Sequence, residues 1–183
     1  MEDRRTRRHR AIFPWIMTPH LAALFEQYHA SLVRMLYRRT GDRDRAEDLA
    51  QETFARAVAA PPDNPRPWLF AVALNLVRED GRKAVRQQRR LQLLKAEMDV
   101  PVPGPDDDFD RAEAKARVQA ALAQLNERDR EALLLKAEGF SYPEIAETLG
   151  LSPGAIGTTL SRARQRLVEA YHQHEQGGRD VAS

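Results

Sequence analysis

The pattern of apolar and polar residues divides this chain into short helices. Apolar residues recur every three or four positions over 21–36, which predicts a helix that begins at Thr18–Pro19 and ends at Gly41. A second apolar side over 46–58 predicts a helix that follows directly. This second side includes Leu49 and Phe54, which are therefore expected to face a core.

A proline-rich stretch precedes a third helix. Residues 61–67, PPDNPRP, are predicted to form a loop, because proline interrupts helices. Pro67 suits the first position of the next helix, whose apolar side runs over 68–77. Gly81 weakens that helix without necessarily ending it.

The middle of the chain indicates a linker. Residues 99–110 contain three prolines, one glycine and five aspartates, a composition that cannot bury a core. Beyond the linker, one helix is predicted to end near Leu125 and another to span 127–138, with Gly139 as its stop. The predicted fold class is all-α, with two small helical domains on a flexible, acidic and proline-rich linker. The predicted parts are an arm at 1–17, domains at 18–96 and 112–172, a linker at 97–111 and a frayed tail at 173–183.

Residues 141–166 carry the strongest local signal. Ser141 and Glu144 have the spacing of a capping box, which predicts the start of a helix. Gly150 suits a tight turn, and Ser152–Pro153 suits the start of a second helix. A turn glycine between two amphipathic helices indicates a helix-turn-helix, with an ordinary helical hairpin as the alternative.

Composition narrows the class of protein. The 183 residues are 42% hydrophobic and 31% charged and include no cysteine, which excludes disulfides and suits a reducing cytoplasm. No apolar run is long enough to span a bilayer, and Pro14 interrupts the apolar part of the N-terminal arm, which argues against a secretory signal. That arm is interpreted as disordered, or alternatively as a contact for a polyanion or a partner protein.

The net charge is only +2, but the charges are segregated. Asp44, Asp48 and Glu52 are spaced by four residues, which indicates a solvated helix face or a docking surface for a basic partner. No histidine lies among these carboxylates, so a metal site is disfavoured. The third helix has the opposite charge, with arginines spaced to line one side: Arg78, Arg82, Arg86 and Arg89.

These arginines suit phosphate, although a solvated face is the alternative. Asn64 and Arg66 lie in the adjoining loop, where polar side chains can hold an unstacked base. In the helix-turn-helix, Arg162 is the candidate for a base or phosphate contact, and Arg164 and Arg166 suit phosphate. The sequence shows no nucleophile–base pair and no phosphate-binding glycine loop, so an enzyme is not expected and no cofactor is predicted.

Read together, the two halves resemble bacterial sigma factors of the extracytoplasmic-function (ECF, group IV) type, in the sigma-70 family. DRAEDLAQETFARAV at 44–58 resembles the segment of that family that binds core RNA polymerase. RPWLFAVALNLVRED at 66–80 resembles the −10 element segment, and LSRARQRL at 160–167 resembles part of the −35 domain. The resemblance covers about 20–95 and 112–170, in the family's order.

The resemblance implies a role for each matching position. Polymerase contacts with the β′ clamp helices are implied for Asp48, Leu49, Gln51, Glu52 and Phe54. Contacts with −10 DNA, including a flipped base of the non-template strand, are implied for Asn64, Arg66, Asn75, Arg78, Arg82 and Arg86. Contacts with duplex −35 DNA are implied for Gly157, Thr158, Ser161, Arg162 and Arg164.

The resemblance also implies partners and a location. The expected partners are core RNA polymerase, through the β′ clamp helices and the β flap, promoter DNA, and an anti-sigma factor or an activator. The expected location is the cytoplasm. Two other functions fit parts of the pattern: a sigma-like mimic that sequesters an anti-sigma factor, and a stand-alone helix-turn-helix regulator.

Overall fold

A computed structural model describes residues 19–60, 62–92 and 109–180, with side chains described over 21–60, 62–83 and 116–173. These ranges form helices and contain no strand, which confirms the all-α prediction for this part of the chain. The helices are α1 Pro19–Thr40, α2 Arg43–Ala59, α3 Pro65–Gln92, α4 Phe109–Gln124, α5 Glu127–Ala137, α6 Tyr142–Leu149 and α7 Pro153–Asp180. The N-terminal arm and most of the predicted linker lie outside the described residues.

The predicted caps of the helix-turn-helix are present. Ser141 accepts a hydrogen bond from the backbone N–H of Glu144, and the Glu144 carboxylate accepts one from the backbone N–H of Ser141 at 2.8 Å. Gly150 ends α6 in the left-handed region at φ 63°, where a side chain would be strained. The turn then leads into α7, which begins at Pro153 as its sequence predicts.

Two helix boundaries differ from the sequence prediction. Helix α3 begins at Pro65, two residues before Pro67, so Arg66 lies in its first turn. Proline is tolerated there because the first N–H groups of a helix have no partner within the helix. Helix α7 continues to Asp180 instead of fraying from 173, since glycine weakens a helix without breaking it.

The apolar faces of the two halves meet in one continuous core. Helices α1–α3 form an N-terminal unit and α4–α7 form a C-terminal unit, and buried residues of both belong to the same apolar cluster. Phe70 of α3 and Phe140, which precedes α6, are fully buried with ring centroids 4.7 Å apart. The two units therefore pack against each other.

Val58 lies on the predicted apolar side of α2 and was expected to face the core, but this residue is 37% exposed.

Candidate nucleic-acid interface

Asn64 and Arg66, predicted to contact −10 DNA, lie at the start of α3 and face the C-terminal unit. Asn64 Nδ2 donates to both carboxylate oxygens of Glu147, at 2.9 and 3.0 Å. Arg66 donates from Nη1 to Glu144 Oε1 and from Nη2 to the backbone oxygen of Glu138, both at 2.9 Å. Its guanidinium also lies 4.1 Å from the centre of the Phe140 ring. Both side chains are thus occupied by the other unit.

Arg78 is held in the same way, about three turns farther along α3. Its Nε donates to Glu131 Oε1 at 2.9 Å, and its Nη2 donates to the other carboxylate oxygen. Its Nη1 donates to Asn75 Oδ1 at 2.8 Å, so Asn75 supports Arg78 within the helix. Arg82 is exposed, and the side chain of Arg86 lies outside the described residues.

The carboxylate that binds Arg78 is almost completely excluded from solvent. The side chain of Glu131 is 1% exposed. Burial raises the pKa of Glu131, because a charge is costly where water is excluded, and the hydrogen bonds from Arg78 oppose that rise. A carboxylate in this position needs its arginine, since an unpaired buried charge is strongly unfavourable.

The residues predicted to contact −35 DNA lie around the first turns of α7. Thr158, Ser161 and Arg164 are exposed. Gly157 is half-buried, and a Cβ atom at this position would lie 3.8 Å from the Tyr142 ring. Arg162 is half-exposed but is bonded within its own unit.

The partner of Arg162 is Asp129, whose carboxylate accepts hydrogen bonds from two arginines of α7. Arg162 Nη2 donates to Asp129 Oδ1 at 2.7 Å, and Arg166 Nη1 donates to Oδ2 at 2.8 Å. Asn126 Nδ2 donates to Oδ2 as well, at 2.7 Å. Burial alone raises the pKa of Asp129, but the hydrogen bonds from Arg162, Asn126 and Arg166 outweigh it and hold the pKa below its ordinary value. One carboxylate thus orients two guanidinium groups and leaves one positive charge in excess.

A basic cleft of about 800 Å³ runs between the two units. Its lining combines arginines from both units with two carboxylates and two further residues: Arg78, Arg82, Arg128, Arg162, Arg166, Glu127, Glu131, Asn126 and Leu149. The excess of guanidinium groups makes this cleft suited to a polyanion.

The predicted polymerase-binding residues divide into two groups on α2. Asp48, Gln51 and Glu52 are exposed, whereas Leu49 and Phe54 are only 4% and 5% exposed. The side chains of Leu49 and Phe54 are enclosed in the core and support the helix from inside, and their contact with polymerase stays a prediction. Burial of these two side chains agrees with the apolar periodicity of α2.

The exposed carboxylates of α2 make only weak contacts within the helix. Asp48 Oδ2 lies 3.9 Å from Arg45 Nη1, and Glu52 Oε1 lies 3.3 Å from Arg56 Nε. Exposed pairs of this kind contribute little to stability, so these carboxylates can exchange their partners at small cost.

Sequence reasoning missed the acidic side chains that contact the N-terminal unit. Glu138 accepts from Arg34 Nη2 at 3.0 Å and from Arg38 Nη1 at 2.7 Å, and its side chain is 3% exposed. Glu131, Glu144 and Glu147 have the roles described above. The capping box identified Glu144 as a helix-start residue, but no local pattern links these carboxylates to arginines far away in the chain.

Within the described residues, no cluster of three or more acidic or histidine side chains is arranged to hold a metal ion. None of the described helices is both long enough and apolar enough to cross a membrane.

Comparison with known proteins identifies both units. Residues 24–90 match the family model Sigma-70 region 2, and residues 115–167 match Sigma-70, region 4. The ECF RNA polymerase sigma factor EcfG of Rhodopseudomonas palustris is 37% identical over 70% of this chain and 72% of its own length. The ECF RNA polymerase sigma factor SigE of Mycolicibacterium smegmatis is 33% identical over 85% of this chain and 63% of its own length.

A solved structure has a similar fold. The sigma factor RpoE of Bartonella quintana, in complex with the anti-sigma factor NepR, superposes with a TM-score of 0.63 at 28% identity. The superposition covers 84% of this chain and 97% of the other. Two region matches in chain order, with these relatives, show that the chain belongs to the extracytoplasmic-function RNA polymerase sigma factors of the sigma-70 family, which direct promoter-specific initiation of transcription.

Proposed function

We propose that the N-terminal unit binds core RNA polymerase through the exposed edge of α2. Asp48, Gln51 and Glu52 present two carboxylates and an amide to solvent, and their neighbours Leu49 and Phe54 anchor the helix in the core. Charged side chains on a rigid helix set the register and the association rate of a complex with a basic partner. The β′ clamp helices are the proposed partner of this edge, and the β flap is the proposed partner of the C-terminal unit.

The promoter contacts that we propose lie on the other faces. Asn64 and Arg66 would hold an extruded −10 base, while Asn75, Arg78, Arg82 and Arg86 would follow the non-template strand. A base pocket offsets part of the stacking energy that melting costs. Gly157, Thr158, Ser161, Arg162 and Arg164 would meet the −35 duplex, where the small side chains allow close approach to a groove.

This proposal assigns the chain no catalytic step and a place in the cytoplasm beside polymerase. An anti-sigma factor is a proposed further partner, supported by the solved complex of the similar Bartonella quintana sigma factor with NepR. The match of both sigma regions in one chain is the observation that carries the proposal, because a stand-alone helix-turn-helix regulator has no use for the region 2 unit.

The test is promoter-dependent transcription in a purified system. The chain is mixed with core polymerase from the same bacterium and a library of that bacterium's upstream DNA fragments. Transcripts that require the chain are expected, and aligning their start sites gives the −35 and −10 elements. Core binding without transcripts points to a missing activator or to the sigma-like mimic, and the absence of core binding refutes the proposal.

A paired variant isolates the docking edge. Charge reversal at both carboxylates, Asp48→Arg with Glu52→Arg, is expected to abolish core binding while the thermal midpoint stays close to that of the parent. Glu169→Arg, at an exposed position of α7, is the matched control and should bind core normally. Normal core binding by the double variant would show that the docking edge is assigned wrongly.

A further inference from the structure

Arg45 lies between two carboxylates that belong to different helices. It is in the first turn of α2, where its backbone N–H donates to the capping carboxylate of Asp42 at 3.0 Å. Its guanidinium faces Asp80 on α3: Nε donates to Oδ2 at 2.7 Å, and Nη2 lies 2.5 Å from Oδ1. The remaining nitrogen, Nη1, lies 3.9 Å from Asp48 Oδ2. Arg45 therefore binds Asp80 with forked geometry and only approaches Asp48.

Glu52, the other carboxylate of the proposed docking edge, has a simpler neighbourhood. Its Oε1 lies 3.3 Å from Nε of Arg56, one turn farther along α2. Arginines three or four positions from a carboxylate on the same helix can pair with it, so Arg45 and Arg56 are equally able to reach the docking edge by spacing alone. They differ because Asp80, 35 positions later in the chain, holds the guanidinium of Arg45 on α3.

The position of Arg45 sets the charge that Asp48 presents to a partner. The side chain of Asp48 is 68% exposed, whereas those of Arg45 and Asp80 are 39% exposed each. An arginine paired directly with Asp48 would neutralise it and cover oxygens that a basic partner needs. A forked arginine–carboxylate pair is stronger than a single contact, so Asp80 competes successfully with Asp48 for Arg45.

We propose that Asp80 is a positioning residue for the binding of core polymerase. It acts through Arg45: by holding that guanidinium on α3, it leaves the Asp48 carboxylate free for the basic surface of the partner. Asp80 itself contacts neither polymerase nor DNA in this mechanism. The inference rests on the proposed docking role of Asp48.

Two variants distinguish charge competition from a structural role of the pair. D80N releases Arg45, which is expected to pair with Asp48 and to weaken core binding about twofold to fivefold, mainly through slower association. D80N/R45Q lacks the same pair but has no arginine left to cover Asp48, so its core binding should return to the parent value. A purely structural role predicts the opposite, an equal loss in both variants.

The measurement uses the full chain and core RNA polymerase from the same bacterium. The chain carries a dye at its N-terminus, and the dissociation constant and association rate are read from fluorescence anisotropy at two salt concentrations. The control for net charge is E79Q, which removes a carboxylate from the neighbouring position of α3 and should match the parent. The deficit of D80N should shrink at higher salt, because screening weakens an exposed pair between Arg45 and Asp48.

Core binding by D80N that equals that of the parent would overturn the inference. A loss that R45Q does not reverse, or that E79Q shares, would overturn it as well, because the effect would then come from lost packing or from overall charge. D48N separates this failure from failure of the proposed function, since it should weaken core binding in the parent background. If D48N binds core normally, the docking edge is assigned wrongly and the inference fails with it.

Discussion

Two buried carboxylates on α5 are expected to respond differently when their charge is removed. Asp129 and Glu131 are both fully buried, and both accept hydrogen bonds from arginine. Their pKa values nevertheless shift in opposite directions: downward for Asp129 and upward for Glu131. Asp129→Asn and Glu131→Gln remove one charge each with almost no change in volume, so they form a matched pair.

Asp129→Asn is expected to destabilise the fold at pH 7. The carboxylate accepts from Arg162, Arg166 and Asn126 at 2.7–2.8 Å. An amide keeps a single acceptor oxygen and turns an N–H₂ group towards a guanidinium. Hydrogen bonds to a charged group contribute about 1.5–3 kcal/mol each, but both arginines can regain water, so we expect a net loss of about 1–3 kcal/mol.

Glu131→Gln is expected to be much milder. Burial is the dominant influence on this carboxylate and disfavours its charge, so the amide recovers part of the cost of desolvation. Arg78 keeps its hydrogen bond to Asn75 Oδ1, and its Nε lies 3.6 Å from Glu127 Oε2. The free energy of unfolding should change by less than about 1 kcal/mol in either direction.

The two variants should also differ in their dependence on pH. The ionised form of Asp129 stabilises the fold above the ordinary pKa of 3.8, and this contribution disappears as the pH falls through the lower folded pKa. For Glu131 the sign is reversed: its contribution is complete below the ordinary pKa of 4.5 and is lost as the pH rises through the higher folded pKa.

The assay is reversible thermal or denaturant unfolding of the parent and both variants between pH 3 and pH 8. For a chain of this size, 1 kcal/mol corresponds to roughly 2–4 °C in the midpoint. The deficit of Asp129→Asn should shrink towards acid pH, while the parent and Glu131→Gln should converge there. Equal losses of unfolding free energy for both variants at pH 7 would refute the reasoning, and so would a deficit of Asp129→Asn that does not change with pH.

Two further predictions concern the junction of the units and the basic cleft. Phe140→Ala should lower the free energy of unfolding by about 3–5 kcal/mol, because it leaves a cavity at a fully buried position between the units. Val118→Ala, at a 43% exposed position, should have little effect in the same denaturant titration. Arg82→Gln should weaken single-stranded DNA binding similarly for all sequences. It should also reduce the slope of log affinity against log salt concentration by about 0.7, which corresponds to one phosphate contact. An unchanged slope would show that Arg82 does not contact the DNA backbone.

Local signals in the sequence predicted most of the helices correctly. The capping box of Ser141 with Glu144 and the turn at Gly150 depend on residues three or four positions apart, so the sequence contains everything that they need. The start of α3 was placed two residues late, because several prolines compete to be the first residue of that helix and local rules do not rank them.

The functional surfaces were only partly predictable. The apolar periodicity of α2 correctly predicted that Leu49 and Phe54 are buried, whereas the family resemblance suggested that they contact polymerase. Of the positions implied for polymerase binding, Asp48, Gln51 and Glu52 are on the surface. The roles of these three residues, and of the DNA-contacting residues, remain predictions that the experiments above address.

The sequence by itself determined the helices, their caps and the segregation of charge, because these depend on spacing along the chain. It also contained the two sigma region motifs in order. Only the tertiary structure decided which carboxylate meets which arginine. Arg34 and Glu138 are 104 positions apart, and Asn64 and Glu147 are 83 apart, so no local periodicity relates them. Their contact depends on how the two units pack together, and the packing of Phe70 against Phe140 is part of that arrangement.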